Sequence, residues 1–336
     1  MIITLNEKEE RKADKSLYSY QKGAISKIFD SFENSREDYH LLYQLPTGGG
    51  KTVIFSEIVR QYLSNHNKKV LVMTHRIELC KQTSKVLSEF GVENKVIDSK
   101  ANLDDQSKYT CFVAMVETLN NRLNDDKLDI SGIGLVIIDE AHYNSFTKLF
   151  KFFSNSFILG VTATPLSSNI ELPMTDNYDE LIVGESIQDL IKNEFLASAN
   201  MYSFNVGLTS LVIGANGDYT VKSSEDLYTN NDMLSKLLVS YEEKCKGLKT
   251  LIFNNGINTS LIVYDMFKAA GYDVAHLDNT ASKKERARIL NWFKVTPGAI
   301  LTSVSILTTG FDEPTVCLLY TSPSPRDAHE SRMPSS

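Results

Sequence analysis

Apolar residues recur at helical spacing between Leu17 and Phe32, with Ile25, Ile28, Phe29 and Phe32 on one face. The pattern then changes to short continuous apolar runs at 41–45, 70–74, 111–116, 135–138 and 157–161, each followed by a helix-like stretch. Continuous apolar strands alternating with helices predict a parallel sheet covered on both faces. These elements predict one α/β domain over residues 17–165. Residues 166–235 are richer in Asn, Asp, Ser and Tyr, and 214–218 carry a turn signal, so a connector or small insertion is expected there. From 249 the alternation returns. Thr250 to Phe253 reads as a strand, and a helix over 260–270 aligns Leu261, Tyr264 and Phe267. An apolar run at 273–277, a helix near 283–293 and a run at 299–302 follow. A second, incomplete α/β domain is predicted over 236–319. Residues 1–16 form a charged N-terminal extension. The stretch 320–336 is rich in Ser and Pro, has no periodicity, and is expected to be disordered.

Composition narrows the class. The 336 residues suffice for two ordinary domains, and 42% hydrophobic content gives each a core. A net charge of −7 argues against a surface coated in positive charge, though not against a local basic groove. Cys80, Cys111, Cys245 and Cys317 are scattered without a CxxC pair, which disfavours a zinc site or disulfide framework and fits a reducing compartment. The N-terminus has no apolar core, and the apolar runs are too short to span a bilayer. The expectation is a cytoplasmic protein with no membrane partner.

Two stretches carry chemistry. The first runs from Leu41 to Phe55 as LLYQLPTGGGKTVIF. Thr47, Gly48, Gly49, Gly50, Lys51 and Thr52 form a glycine-rich turn between an apolar strand and a helix. Such a loop cradles phosphates with backbone N–H groups at a helix N-terminus. Lys51 would reach the β- and γ-phosphates of ATP, and the Thr52 hydroxyl would ligate Mg²⁺. The second is LVIIDEAHYNSF, Leu135 to Phe146, an apolar strand ending in two carboxylates. Asp139 would hold Mg²⁺, and Glu140 would orient and deprotonate an attacking water.

Position 45 is leucine where the general phosphate-loop pattern has its first glycine. The form Pro-Thr-Gly-x-Gly-Lys-Thr resembles the loop of superfamily 2 helicases and translocases, the DEAD/DEAH-box group. Asp139-Glu140-Ala141-His142 matches the DEAH box, and Thr162, Ala163 and Thr164 resemble the family's Thr-Ala-Thr motif. The resemblance implies that His142, Thr162 and Thr164 couple hydrolysis to movement. LYSYQKGAI, at 17–25, resembles the adenine-side motif, with Gln21 reading the base edge and Tyr18 and Ser19 in place of the usual Arg and Pro. Thr74, His75 and Arg76 stand where the family grips a nucleic-acid strand, and Thr118 occupies a second backbone-contact motif. The segment 185–204 looks like the link between motor domains in type III restriction motor subunits and related DNA-repair helicases. Further on, Glu285 and Arg286 match the family's Glu-Arg helix. In ILTTGFDEPTV, at 306–316, Thr308 or Thr309 would touch a nucleic-acid backbone, and Gly310 and Asp312 would face the nucleotide.

The resemblance spans about 17–318. It implies two RecA-like parallel-sheet domains with ATP and Mg²⁺ between them, and a nucleic-acid partner, with double-stranded DNA favoured over RNA. It leaves nuclease or methyltransferase partners open. The family's sixth motif, QxxGRxxR, is missing; its arginines contribute on the order of 10³–10⁵ in rate in related enzymes. The tail instead resembles translated sequencing-adapter ends, so a truncation near Val316 and a non-native terminus are expected, with a natural shortened protein as the other possibility. The chain as written is therefore expected to bind ATP but hydrolyse it poorly. Three rivals stay open. A phosphate-loop kinase or small-molecule NTPase would explain Lys51 and Asp139, but not Thr162–Thr164 followed by a second domain. An RNA helicase would fit the same motifs. A catalytically impaired nucleic-acid-binding module would fit the missing arginines.

Overall fold

A computed structural model of the chain describes residues 17–36, 38–98, 108–124, 130, 132–167, 171–198, 200, 210–214, 219–304, 313 and 315–321. The chain divides into two units, Met1–Asn200 and Met201–Ser336.

The first unit is built on seven parallel strands. Helix α1 (Ser19–Glu33) leads into β1 (His40–Gln44), α2 (Lys51–Asn65), β2 (Lys69–Thr74), α3 (Ile77–Glu89) and β3 (Asn94–Ile97). Then come β4 (Cys111–Met115), α4 (Val116–Asn124), β5 (Ile133–Asp139), a 3₁₀ segment (Asn144–Phe152), β6 (Phe157–Thr162), β7 (Glu180–Val183) and α5 (Ile187–Lys192). The strand order is β3-β4-β2-β5-β6-β1-β7. All seven residues of β5 are buried. Its side chains alternate between two cores: Leu135 and Ile137 pack with α1, α2 and α3, whereas Val136 and Ile138 pack with Phe146, Leu149 and Phe153. A strand covered on both faces has no polar side, which is why its sequence is a continuous apolar run.

The sheet extends beyond position 165, where the sequence pattern suggests that the domain ends. β7 pairs in parallel with β1, Leu42 beside Leu181 and Gln44 beside Val183. Polar contacts pin this edge. Arg36 Nη2 donates to Asp179 Oδ1 at 2.8 Å, His40 N donates to Asp179 Oδ2 at 2.9 Å, and Tyr39 donates to Glu180 at 2.9 Å.

The second unit carries α6 (Val221–Tyr228), α7 (Asn231–Lys244), β8 (Thr250–Phe253), α8 (Ile257–Ala269), β9 (Val274–Leu277), α9 (Lys283–Val295), β10 (Ile300–Ser303) and β11 (Leu318–Thr321). Its strands are parallel in the order β11-β8-β10-β9. Leu251, Leu277 and Leu301 pack on Ile289 and Phe293, while Ile252 and Ile300 pack on Val263, Phe267 and Tyr241. α7 crosses position 236 and β11 crosses 319, the two boundaries expected for this domain. Thr220, Asn230 and Ser282 accept N-cap hydrogen bonds at the starts of α6, α7 and α9. Among the described residues, no helix is long and apolar enough to cross a membrane.

Candidate active site

The site forms where β1, β5 and β6 end, on the carboxyl edge of the first sheet, the edge at which parallel α/β sheets bind ligands. After β1 the chain turns through Leu45, whose N–H donates to Thr162 O at 3.0 Å, and Gly49 N closes onto Pro46 O at 3.0 Å. Gly50 caps α2 in the left-handed region, φ 85° and ψ 34°. The positive φ favours glycine, and a Cβ there would also displace the Gln21 amide, whose Nε2 would lie 2.6 Å away. Lys51 opens the helix and is buried, its ammonium donating to Leu45 O at 3.3 Å. Thr52 is half-buried beside it, and Thr47 and Gly48 are exposed at the loop tip.

α1 braces the loop from one side. Gln21 is buried; its Oε1 accepts from Tyr18 N at 3.0 Å and its Nε2 lies 3.4 Å from the Tyr20 hydroxyl. Tyr20 donates to Gly49 O at 2.7 Å. Sequence reasoning finds Tyr18 and Gln21 but misses what covers them. Past α5, Glu194 turns at φ 62° and sends Phe195 back against Tyr18 and Tyr20, with ring centroids at 4.6 and 4.9 Å. Leu196 reaches Gly48, since a Cβ on that glycine would lie 2.8 Å from Leu196 Cδ2. The aromatic platform beside a phosphate loop is suited to a nucleotide base. The apolar pair Phe195-Leu196 directly after a short polar helix is the sequence signal that could have found it. Phe195→Ala is expected to weaken ATP binding about 3–10-fold, the equivalent of one stacking contact. Inorganic tripolyphosphate, which has no base, should bind the variant as it binds the parent; equal loss of both in titration calorimetry would remove the base-platform role.

The acidic strand end stands across β6 from the loop. Asp139 is buried and accepts one hydrogen bond, from Glu140 N at 3.1 Å. Burial raises its carboxyl from 3.8 to about 6, with the Glu140 charge adding and Lys51 opposing. Glu140 itself adopts φ 54°, an uncommon conformation for a non-glycine residue and one that recurs at functional sites. His142 Nδ1 lies 3.4 Å from Glu140 Oε2 and 3.0 Å from Thr162 Oγ1. Thr162 donates to Thr164 O at 2.9 Å and accepts from Thr164 N at 3.1 Å. The three expected coupling residues thus form one connected group with Glu140. Burial also lowers the pKa of His142, against the pull of Glu140.

The donor set suits a Mg²⁺ ion shared with phosphates. Mg²⁺ favours one or two carboxylates plus substrate oxygens over an all-protein cage. Asp139 is such a carboxylate, and among the described residues no group of three or more His, Cys, Asp or Glu side chains forms a cage. The raised Asp139 pKa gives a pH dependence. The folded chain holds this proton more tightly than the unfolded chain, so stability from this group declines as pH rises from 3.8 to about 6. A cation binds the ionised form, so protons compete with it. Affinity for ATP with Mg²⁺ is expected to fall about tenfold per pH unit below about 6. Titrations between pH 5 and pH 8 check this, and Asp139→Asn should flatten the profile.

The expected nucleic-acid residues are arranged less uniformly. Thr74 is buried, its hydroxyl donating to Arg76 O at 3.0 Å and lying 2.9 Å from Cys80 Sγ. The His75 ring packs on Tyr143 with both nitrogens buried. Arg76 is exposed at the N-cap of α3. Thr118 is half-buried on α4. Thr308, Thr309, Gly310 and Asp312 lie outside the described residues.

Comparison with known proteins gives the family of the chain that carries this cluster. Residues 14–167 match the family described as type III restriction enzyme, res subunit, and residues 229–331 match the helicase conserved C-terminal domain. The chain belongs to the superfamily 2 helicases, and its N-terminal part matches the branch of the type III restriction motor subunits. It is 28% identical over 332 residues to the putative ATP-dependent helicase IRC3 of Saccharomyces cerevisiae, a match covering 92% of this chain and 47% of that one. It is 30% identical over 151 residues to the ATP-dependent DNA helicase MPH1 of Scheffersomyces stipitis, covering 39% of this chain and 14% of the relative. The chain spans about half the length of the first curated relatives it matches. In fold it resembles a DNA-bound structure of the ATP-dependent type ISP restriction-modification enzyme LlaBIII, with TM-score 0.65 and 16% identity over 92% of this chain and 26% of that chain. In fold the two parallel sheets are RecA-like.

Proposed function

We propose that this chain is the motor core of an ATP-dependent nucleic-acid translocase with double-stranded DNA as its track. One observation carries the reading: Lys51, Asp139, Glu140, His142 and Thr162 converge at one sheet edge, two of them charged and buried. Lys51 and the loop N–H groups bind the phosphates of ATP, and Tyr18, Tyr20, Gln21 and Phe195 receive the base. Thr52 and Asp139 hold Mg²⁺, which supplies charge neutralisation on the phosphates when bound. Glu140 takes the proton of the attacking water. His142 and Thr162, bonded to each other, relay the state of Glu140 to the end of β6. Arg76 at the start of α3 grips a backbone phosphate, where an exposed guanidinium and helix N-terminus act together. Phosphate contacts carry little sequence preference, which suits movement. The DNA preference draws on the similarity to the ATP-dependent DNA helicase MPH1.

The test is ATP hydrolysis with no polymer, duplex DNA, single-stranded DNA and RNA. Duplex DNA is expected to stimulate most. A larger effect of RNA would reverse the substrate, and retained ATP binding with no hydrolysis under any condition would favour a catalytically impaired binding module.

A further inference from the structure

Two imidazoles, His75 and His142, feel the Glu140 charge, and among the described residues only His142 has a hydrogen-bond partner. β2 and β5 pair in parallel with Met73 beside Ile138. Two residues beyond that pair, the chains carry His75 and Glu140. Tyr143 contacts both histidines, with centroid separations of 4.3 Å to His75 and 4.3 Å to His142. His142 Nδ1 is hydrogen-bonded to Thr162 Oγ1 at 3.0 Å and lies 3.4 Å from Glu140 Oε2. The two ring nitrogens of His75 are buried and have no hydrogen-bond partner among the described residues. Buried polar atoms are nearly always paired, and exceptions cluster at groups that act. A phenyl ring would stack on Tyr143 equally well without burying two polar atoms, so stacking alone does not account for an imidazole here.

Burial holds the His75 pKa down, with the Arg76 and His142 charges adding and Glu140 opposing. The ring is therefore neutral near pH 7, with one N–H to donate. The next residue, Arg76, is the exposed cation at the start of α3. A load on Arg76 pulls on the turn that carries the imidazole.

We propose that His75 is a positioning residue for Glu140, donating a ring N–H to its carboxylate when the turn carrying Arg76 engages a nucleic-acid backbone. The contact aims the carboxylate for proton transfer and leaves His142 on Thr162. It gives hydrolysis a dependence on the nucleic acid without any new group entering the site. The inference rests on Glu140 serving as the base in the proposed function.

His75→Phe keeps the stacked ring and removes the nitrogens. Polymer-stimulated kcat is expected to fall on the order of tenfold, about 1.4 kcal/mol, with KM for ATP unchanged. His75→Gln, which restores an N–H donor, should recover part of the loss. A second readout does not depend on turnover. In ¹⁵N-histidine-labelled protein with a short DNA duplex and a non-hydrolysable ATP analogue, the His75 ring signal should differ between the parent and Glu140→Gln. Parent-like kcat in His75→Phe, or an identical His75 signal in the two proteins, overturns the proposal. If the parent hydrolyses no ATP with any polymer but the His75 signal still responds to Glu140→Gln, the proposed function fails and the pairing stands.

Discussion

Glu140→Gln is expected to lower the rate of ATP hydrolysis by ~10²–10⁴-fold while leaving ATP affinity within about twofold of the parent. The amide matches the carboxylate in size, so the turn at φ 54° and the packing of Ala141 are kept. It cannot accept a proton from water, so the loss falls on the chemical step. There is a second, opposite effect on the neighbour. The Glu140 charge is one of the causes that raise the Asp139 carboxyl to about 6. Removing it lets Asp139 ionise at lower pH, and a cation then competes better with protons. Near pH 6 the variant should therefore bind ATP with Mg²⁺ at least as tightly as the parent. Fluorescent-nucleotide titrations and steady-state hydrolysis with polymer separate the two effects. Full activity in the variant would move the base elsewhere.

Lys51→Ala acts on the other side of the site and on binding rather than chemistry. Its ammonium is buried with one long hydrogen bond, 3.3 Å to Leu45 O. A cation so weakly satisfied is costly in the free protein and is poised for a stronger acceptor. A charge-assisted hydrogen bond to phosphate contributes roughly 1.5–3 kcal/mol, so the variant should bind ATP about 10–150-fold more weakly. Lys51 also opposes the rise in the Asp139 pKa, so its removal moves that carboxyl further up and weakens cation binding at neutral pH as well. Folding stability should hold or improve, since an ill-compensated buried charge is removed. Unchanged affinity in titration calorimetry would exclude the phosphate role.

How much of this could be read from the letters depends on burial and on distance along the chain. β5 and β8 sit in the middle of their sheets, and their continuous apolar runs announce them. β3 and β7 are edge strands of four residues, only partly buried, with Leu181 47% and Val183 61% exposed. A half-covered strand that short carries too little alternation to stand out from a loop. The same contrast holds in the site. Lys51-Thr52 and Asp139-Glu140 are legible because their chemistry is written in adjacent letters. The platform of Tyr18, Tyr20 and Phe195 joins positions far apart in the chain, and only the turn at Glu194 brings them together. The stack of His75 on Tyr143 likewise depends on the register between β2 and β5, which no local pattern encodes.

The edge strand β7 bears on where this protein can be cut. The match to the res subunit family ends at residue 167, but β7 and Phe195 lie beyond it. A fragment trimmed to that match would keep every charged group of the site and lose the aromatic cover over the loop. It would also strip the outer partner from β1, leaving the backbone N–H and C=O groups of Leu41–Gln44 open on one side. An open parallel edge invites pairing with another chain. The segment that inheritance marks as a unit is thus shorter than the segment that physics needs, and the difference would appear first as poor solubility rather than as lost chemistry.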